Sequence, residues 1–179
     1  LLWNYTEDGA KKVSELETLV DQYEDELGTY LVKLSRQNLS VHDSHTLSIV
    51  LHCIGDFERI SDHAINIMEA AQEMHNKKLT FSPKAEEELK VFSRAVQDIV
   101  EKAYAVFRDQ DEKLAQKVEP LEAVVDDLNQ EVKKRHIRRL RNGKCTIELG
   151  FILSDITTSL ERVADHCSNI AVCVTQVRD

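Results

Sequence analysis

Phe57-Glu58-Arg59-Ile60-Ser61-Asp62-His63-Ala64-Ile65-Asn66-Ile67 recurs as Leu160-Glu161-Arg162-Val163-Ala164-Asp165-His166-Cys167-Ser168-Asn169-Ile170, with Glu, Arg, Asp, His, Asn and the closing Ile in the same places. An internal repeat of this kind decides the architecture before any single element is assigned. Upstream, Glu17-Thr18-Leu19-Val20-Asp21 matches Glu122-Ala123-Val124-Val125-Asp126, and the spacing between the two matching blocks agrees within a couple of residues. Each copy therefore carries two acidic helices, and the chain reads as a tandem repeat. We place the first repeat at residues 1–79 and the second at 80–179.

The repeated blocks have helical character. Val13, Leu16, Leu19, Val20, Tyr23, Leu27, Tyr30, Leu31 and Leu34 follow the three-and-four spacing of an amphipathic helix, and Ser14 with Glu17 offers a capping box at its start. A second helix is expected from about His45 to His75, after a turn over Asn38–Ser44. Ser82-Pro83 opens a third, with Ser82 as cap and acidic residues Glu86–Glu88 at the positive end of the dipole, continuing to Gln110. A segment from Asp111 to Asn142 is interrupted at Pro120, which kinks or restarts a helix. The last helix is expected over Thr146–Val177. In the second copy a full helix precedes the acidic pair; in the first only Leu1–Thr6 does, so its leading helix is expected to be missing through truncation.

Five Gly and two Pro leave few turns, which suits an all-α fold. A formal charge of −9 argues against nucleic acid and in favour of cations. The basic run Lys133–Arg141 ends at Asn142-Gly143, and cations there complement a helix C-terminus closed by glycine. Cys53, Cys145, Cys167 and Cys173 form no C-x-x-C motif and no zinc-finger spacing, which fits a reducing cytosol. No apolar run reaches the roughly 18 residues of a membrane span.

Chemistry is carried by four E-x-x-x-D pairs: Glu17 with Asp21, Glu58 with Asp62, Glu122 with Asp126, and Glu161 with Asp165. Residues four apart share a helix face, where like charges repel by a few tenths of a kcal/mol per pair. A divalent cation held between two such helices offsets that repulsion, and all-oxygen ligation suits hard or borderline ions. Asn66 and Asn169 extend the rows and could orient ligands, as could Glu24 and Asn129 on the partner helices. Arg59 and Arg162 reach Asp62 and Asp165 at i+3. His63 and His166 fall about 180° round the helical wheel, away from the acids. His52 with Asp56 forms an H-x-x-x-D pair that the second copy does not repeat.

Glu58-Arg59-Ile60-Ser61-Asp62 and Glu161-Arg162-Val163-Ala164-Asp165 resemble the signature of the PhoU family, whose tandem three-helix bundles carry paired E-x-x-x-D motifs. The stretch from Glu161 to Val174 is similar to the PhoU-like domain of bacterial sodium/phosphate cotransporter-related membrane proteins. The resemblance implies an all-α tandem repeat of PhoU-like three-helix bundles with the first helix of the first repeat truncated. It implies cytosolic regulation of phosphate uptake without catalysis. It implies metal ligands Glu17, Asp21, Glu58 and Asp62 for one site and Glu122, Asp126, Glu161 and Asp165 for the other. The implied cofactors are divalent or multinuclear metal ions, iron foremost, with zinc, nickel, manganese, magnesium and calcium open.

The expected partner is a membrane transporter domain on the same polypeptide upstream of Leu1, tethering the protein to the cytoplasmic face of the plasma membrane. The incomplete first bundle suggests a homodimer, and no nucleic-acid partner is expected. Two other classes compete. One is a metal-free helical interaction module. The other is a dimetal carboxylate oxidoreductase, disfavoured because that class expects E-x-x-H motifs and none occurs.

Overall fold

The computed structural model describes residues 1–176, all of its regular structure helical. Six helices follow in order: α1 (Glu7–Leu34), α2 (Val41–Asn76), α3 (Pro83–Asp109), α4 (Glu112–Ala115), α5 (Val118–Arg141) and α6 (Ile147–Gln176). The expected end at Val177 lies outside the described residues.

Local chemistry accounts for the boundaries. Thr6 caps α1 by accepting from the Gly9 amide at 3.1 Å, with Glu7 and Asp8 in the first turn. The helix thus begins earlier than the Ser14 capping box predicts, and the Ser14 hydroxyl instead donates back to the Ala10 carbonyl. Ser40 caps α2 through the Asp43 amide at 3.0 Å and moves its start ahead of His45. Ser82 and Pro83 open α3 as expected. Gln110 ends it in the left-handed region at φ 51°. Asp111 then caps the single turn of α4. Pro120 sits in the first turn of α5, where a missing amide costs nothing, so the chain restarts ahead of the proline. Asn142-Gly143 closes α5, with Gly143 at φ 64° and the Lys144 amide donating to the Arg139 carbonyl. Thr146 caps α6.

Helix α6 is the axis of the molecule, packed against α2, α3, α4 and α5. Its apolar positions Ile152, Leu153, Ile156, Leu160, Val163, Ala164, Ile170, Ala171 and Val174 are all buried. All of these but Ile170 join Leu89, Phe92, Val96, Ile99 and Val106 of α3 and Val118, Val125 and Val132 of α5 in one core. Gly150 lets α6 pass the half of α5 that carries His136, since a Cβ there would sit 2.8 Å from the imidazole Nε2.

Helix α1 is held differently. Its backbone approaches α2 alone among the described helices, and only Ala10 is buried along it. In the register set by Glu17/Glu122 and Asp21/Asp126, Leu16, Tyr23 and Leu27 of α1 stand where Leu121, Leu128 and Val132 stand on α5. Those α5 residues pack into the core under α3, whereas Leu16, Tyr23 and Leu27 are exposed. The first repeat therefore has two long helices where the second has three.

Helices α2 and α6 run antiparallel. Cys53 meets Cys173, Asp56 meets His166 and Asn169, and His63 meets His166, so partners advance along one helix as they retreat along the other. His63 and His166 are equivalent positions of the two repeats, and their rings stack at 5.8 Å between centroids. A pseudo-twofold axis thus passes between them.

This packing makes unequal demands on the two apolar faces. Phe92→Ala is expected to lower stability by about 3–5 kcal/mol through cavity formation. Tyr23→Ala on the bare face of α1 is expected to change it by less than about 0.5 kcal/mol. Urea midpoints of the two variants check the contrast.

Candidate metal centre

Two acidic clusters emerge from the repeat. In the first, Glu17 and Asp21 of α1 and Asp62 of α2 each offer a carboxylate oxygen, and these atoms lie within 4.8 Å of one another. In the second, Glu122 and Asp126 of α5 meet Asp165 of α6 by the same criterion. The helix pairs α1–α2 and α5–α6 build both in the same way: two acids one turn apart on the first helix face one acid on the second.

The fourth acid of each set stands slightly apart. Glu58 is one turn before Asp62 and close enough to feel Asp62 and Asp21, while its carboxylate lies 3.5 Å from Arg59 Nε. Glu161 acts on Glu122 from across the helix pair and lies 3.9 Å from Lys133 Nζ.

The arginines of the signature do what the i+3 spacing predicts. Arg59 donates to Asp62 and Arg162 to Asp165, each at 3.3 Å. With the arginines exposed and the aspartates about one-third exposed, these are solvent-screened pairs of small energetic weight.

Excess negative charge acts on two members. Burial, then Asp62, raises the pKa of Glu58; burial, then Asp126 and Asp165, raises that of Glu122. A carboxylate that holds its proton against its neighbours also gains from any other cation placed among them. The donor set is all oxygen, three acids converge and a fourth is within reach, so the residues fit a hard or borderline cation.

Other predicted participants sit elsewhere. Asn66 points its amide to His63 Nδ1 at 3.5 Å, and Asn169 donates to Asp56 at 3.3 Å, so neither orients a cluster carboxylate directly. Asn129 is buried. Glu24 lines a groove with His52, Asp56, Glu58, Arg59 and Cys173. His63 and His166 turn to each other in the α2–α6 seam, and neither joins an acidic cluster. Burial and the facing His166 hold His63 below its usual pKa.

Sequence reasoning missed the pairing of Asp56 with His166, at 2.8 Å between Oδ1 and Nδ1. Asp56 has Ser159 as its counterpart in the second repeat, so no repeated motif announces it. Its partner lies in the other repeat, and only the antiparallel register brings the two together.

The raised pKa of Glu122 has a definite sign. Its folded value lies above the unfolded one, so its contribution favours folding at low pH and is lost as pH rises through the folded value. Glu122→Gln is therefore expected to raise the melting temperature of metal-free protein at pH 7, by less than about 1 kcal/mol equivalent. It should also flatten the dependence on pH just above the ordinary carboxylate range, as calorimetry over pH 4–7 would record.

The family comparison agrees with this duplicated arrangement. The family model described as the PhoU domain matches residues 1–71 and again 89–174. The chain is 26% identical over 162 residues to the phosphate-specific transport system accessory protein PhoU homolog 1 of Thermotoga maritima, covering 90% of this chain and 69% of that protein. It is 27% identical over 172 residues to the PhoU homolog of Synechocystis sp., covering 93% and 73%. The fold is similar to the crystal structure of PhoU from Pseudomonas aeruginosa, with TM-score 0.87 and 24% identity over 94% of this chain and 80% of that one. It is also similar to PhoU from Streptococcus pneumoniae, at TM-score 0.81 and 18% identity over 94% and 78%.

These findings correct the expectation of a transporter domain on the same polypeptide. The relatives are accessory proteins in their own right, and no described helix is long and apolar enough to cross a membrane. With two domain matches spanning most of its length, the chain belongs to the PhoU family.

Proposed function

We propose that this protein is a non-catalytic regulator of phosphate transport that binds metal ions at two equivalent sites, one in each repeat, with the repeats bounded at 1–79 and 80–179. The observation that carries the reading is the duplicated convergence of Glu17, Asp21 and Asp62 and of Glu122, Asp126 and Asp165. Glu58 and Glu161 complete the respective sites. Membership of a family whose relatives are named as accessory proteins of a phosphate-specific transport system supports the regulatory role. The partner in this reading is a phosphate transporter on a separate polypeptide, met at the cytoplasmic face of the membrane. A sodium-coupled transporter is the finer form, supported by the resemblance carried by Glu161–Val174.

Iron is the ion we propose, on the resemblance to the PhoU signature; the all-carboxylate donor set by itself suits magnesium, calcium and manganese as well. Bound metal would cancel the repulsion among the acids and brace α1 on α2 and α5 on α6. Asp62 and Asp165 then set the geometry, each fixed from behind by its arginine.

Three measurements test this. Elemental analysis of purified protein reloaded with ferrous iron should find metal, with Asp62→Ala and Asp165→Ala each losing about half and the double variant nearly all. Metal should raise the melting temperature of the wild type by mass action and leave the double variant unmoved. In cells lacking their own PhoU-family protein, the wild type should restore regulated phosphate uptake and the double variant should not. Wild-type protein that cannot be loaded, or variants that load fully, would defeat the metal reading.

A further inference from the structure

Between the two repeats, away from the residues that converge in the acidic clusters, α2 and α6 bring cysteines into register. Asp56 bonds to Asn169 across the seam. Moving one turn toward the start of α2 reaches Cys53, and one turn toward the end of α6 reaches Cys173. In an antiparallel pair these steps lead to the same level. The two thiols stand near enough there for each to act on the other's proton. Cys53 is buried at 1% exposure, whereas Cys173 is half-buried and lines the open groove that also holds His52, Asp56 and Asn169.

The pseudo-twofold axis supplies an internal control. The position equivalent to Cys53 is Ile156, and the position equivalent to Cys173 is Ala70, both buried. The seam thus packs adequately with an apolar large–small pair at one end, and places two facing thiols at the other. Packing alone does not call for sulfur on both helices.

We propose that Cys53 and Cys173 form a reversible disulfide that locks the two repeats together. Glutathione disulfide serves as the oxidant. Burial raises the Cys173 thiol as well, but the groove reaches it and not Cys53, so it is the Cys173 thiolate that attacks one of the sulfurs, forming a mixed disulfide and releasing one glutathione thiol. Cys53 then loses its proton and attacks the Cys173 sulfur, expelling the second glutathione. The two cysteines are oxidised by two electrons, and glutathione disulfide is reduced to two thiols. Burial pushes the Cys53 thiol up to about 12, which keeps it protonated and inert until the mixed disulfide stands beside it. Cys167, also buried and raised to about 12, faces no second thiol and stays reduced.

The bond would close a long loop, from α2 through α3, α4 and α5 into α6, so its effect on the unfolded chain is large. It depends on neither bound metal nor a transporter partner.

The test uses the full chain, metal-free, incubated with excess glutathione disulfide, quenched by alkylation and mapped by mass spectrometry without reduction. The expected result is a loss of two hydrogens and a cross-linked peptide pair containing Cys53 and Cys173, reversed by dithiothreitol. The oxidised form should melt about 5 °C or more above the reduced form. Cys53→Ala should trap a glutathione adduct on Cys173, which shows the order of attack. A map that joins Cys145 or Cys167, thiols that all remain free, or a bridge that lowers the melting temperature would overturn the proposal.

Discussion

The antiparallel contact of α2 with α6 positions the rest, because each of these helices carries an acidic pair and each is the support on which the other acid-bearing helix lies. Moving α6 by one turn along α2 would part Asp56 from His166, unstack the two histidines and shift one repeat against the other. The seam is held by apolar burial, with Ile152, Ile156, Val163 and Ile170 of α6 closed to solvent. Its polar contacts are few and specific. They fix register, which apolar packing alone leaves free to slide.

Most of the architecture was legible because the same pattern was written twice. A single E-x-x-x-D pair is an acidic helix edge; four pairs in matched places specify two helices per repeat and a shared geometry. Helix starts were less legible. Ser14 and Glu17 spell a capping box, yet Thr6 and Ser40 do the capping, since a side chain with the right spacing still has to stand where the helix begins. The turn at Pro120 was read in the right place, but the proline lies inside the new helix. The contacts that join the repeats were hidden for a different reason. Asp56 and His166 are 110 positions apart, and Asp56 belongs to no repeated motif, so nothing local connects them.

The clusters show how a repeat stores a tendency to bind cations. All of the acids but the exposed Asp21 are half-buried beside an apolar stripe. Arg59 and Arg162 offset some of the acids' charge from the solvent side at the same distance in both repeats. Glu58 and Glu122 keep a heightened hold on their protons. Symmetry extends to these electrostatic details only in part: the Glu whose pKa rises belongs to the second helix of one repeat and to the first helix of the other.

The stacking of His63 on His166 carries a consequence for how such a chain diverges. A residue on a twofold axis faces its counterpart, so wherever both repeats carried the same residue there, it would meet itself. A fixed charge would have met a like charge, and a bulky side chain would have doubled its own crowding. Imidazole tolerates that position because it can lie flat against its twin. Sites off the axis carry no such restriction. Asp56 opposite Ser159, and Cys53 opposite Ile156, mark where the two halves have become free to acquire separate identities.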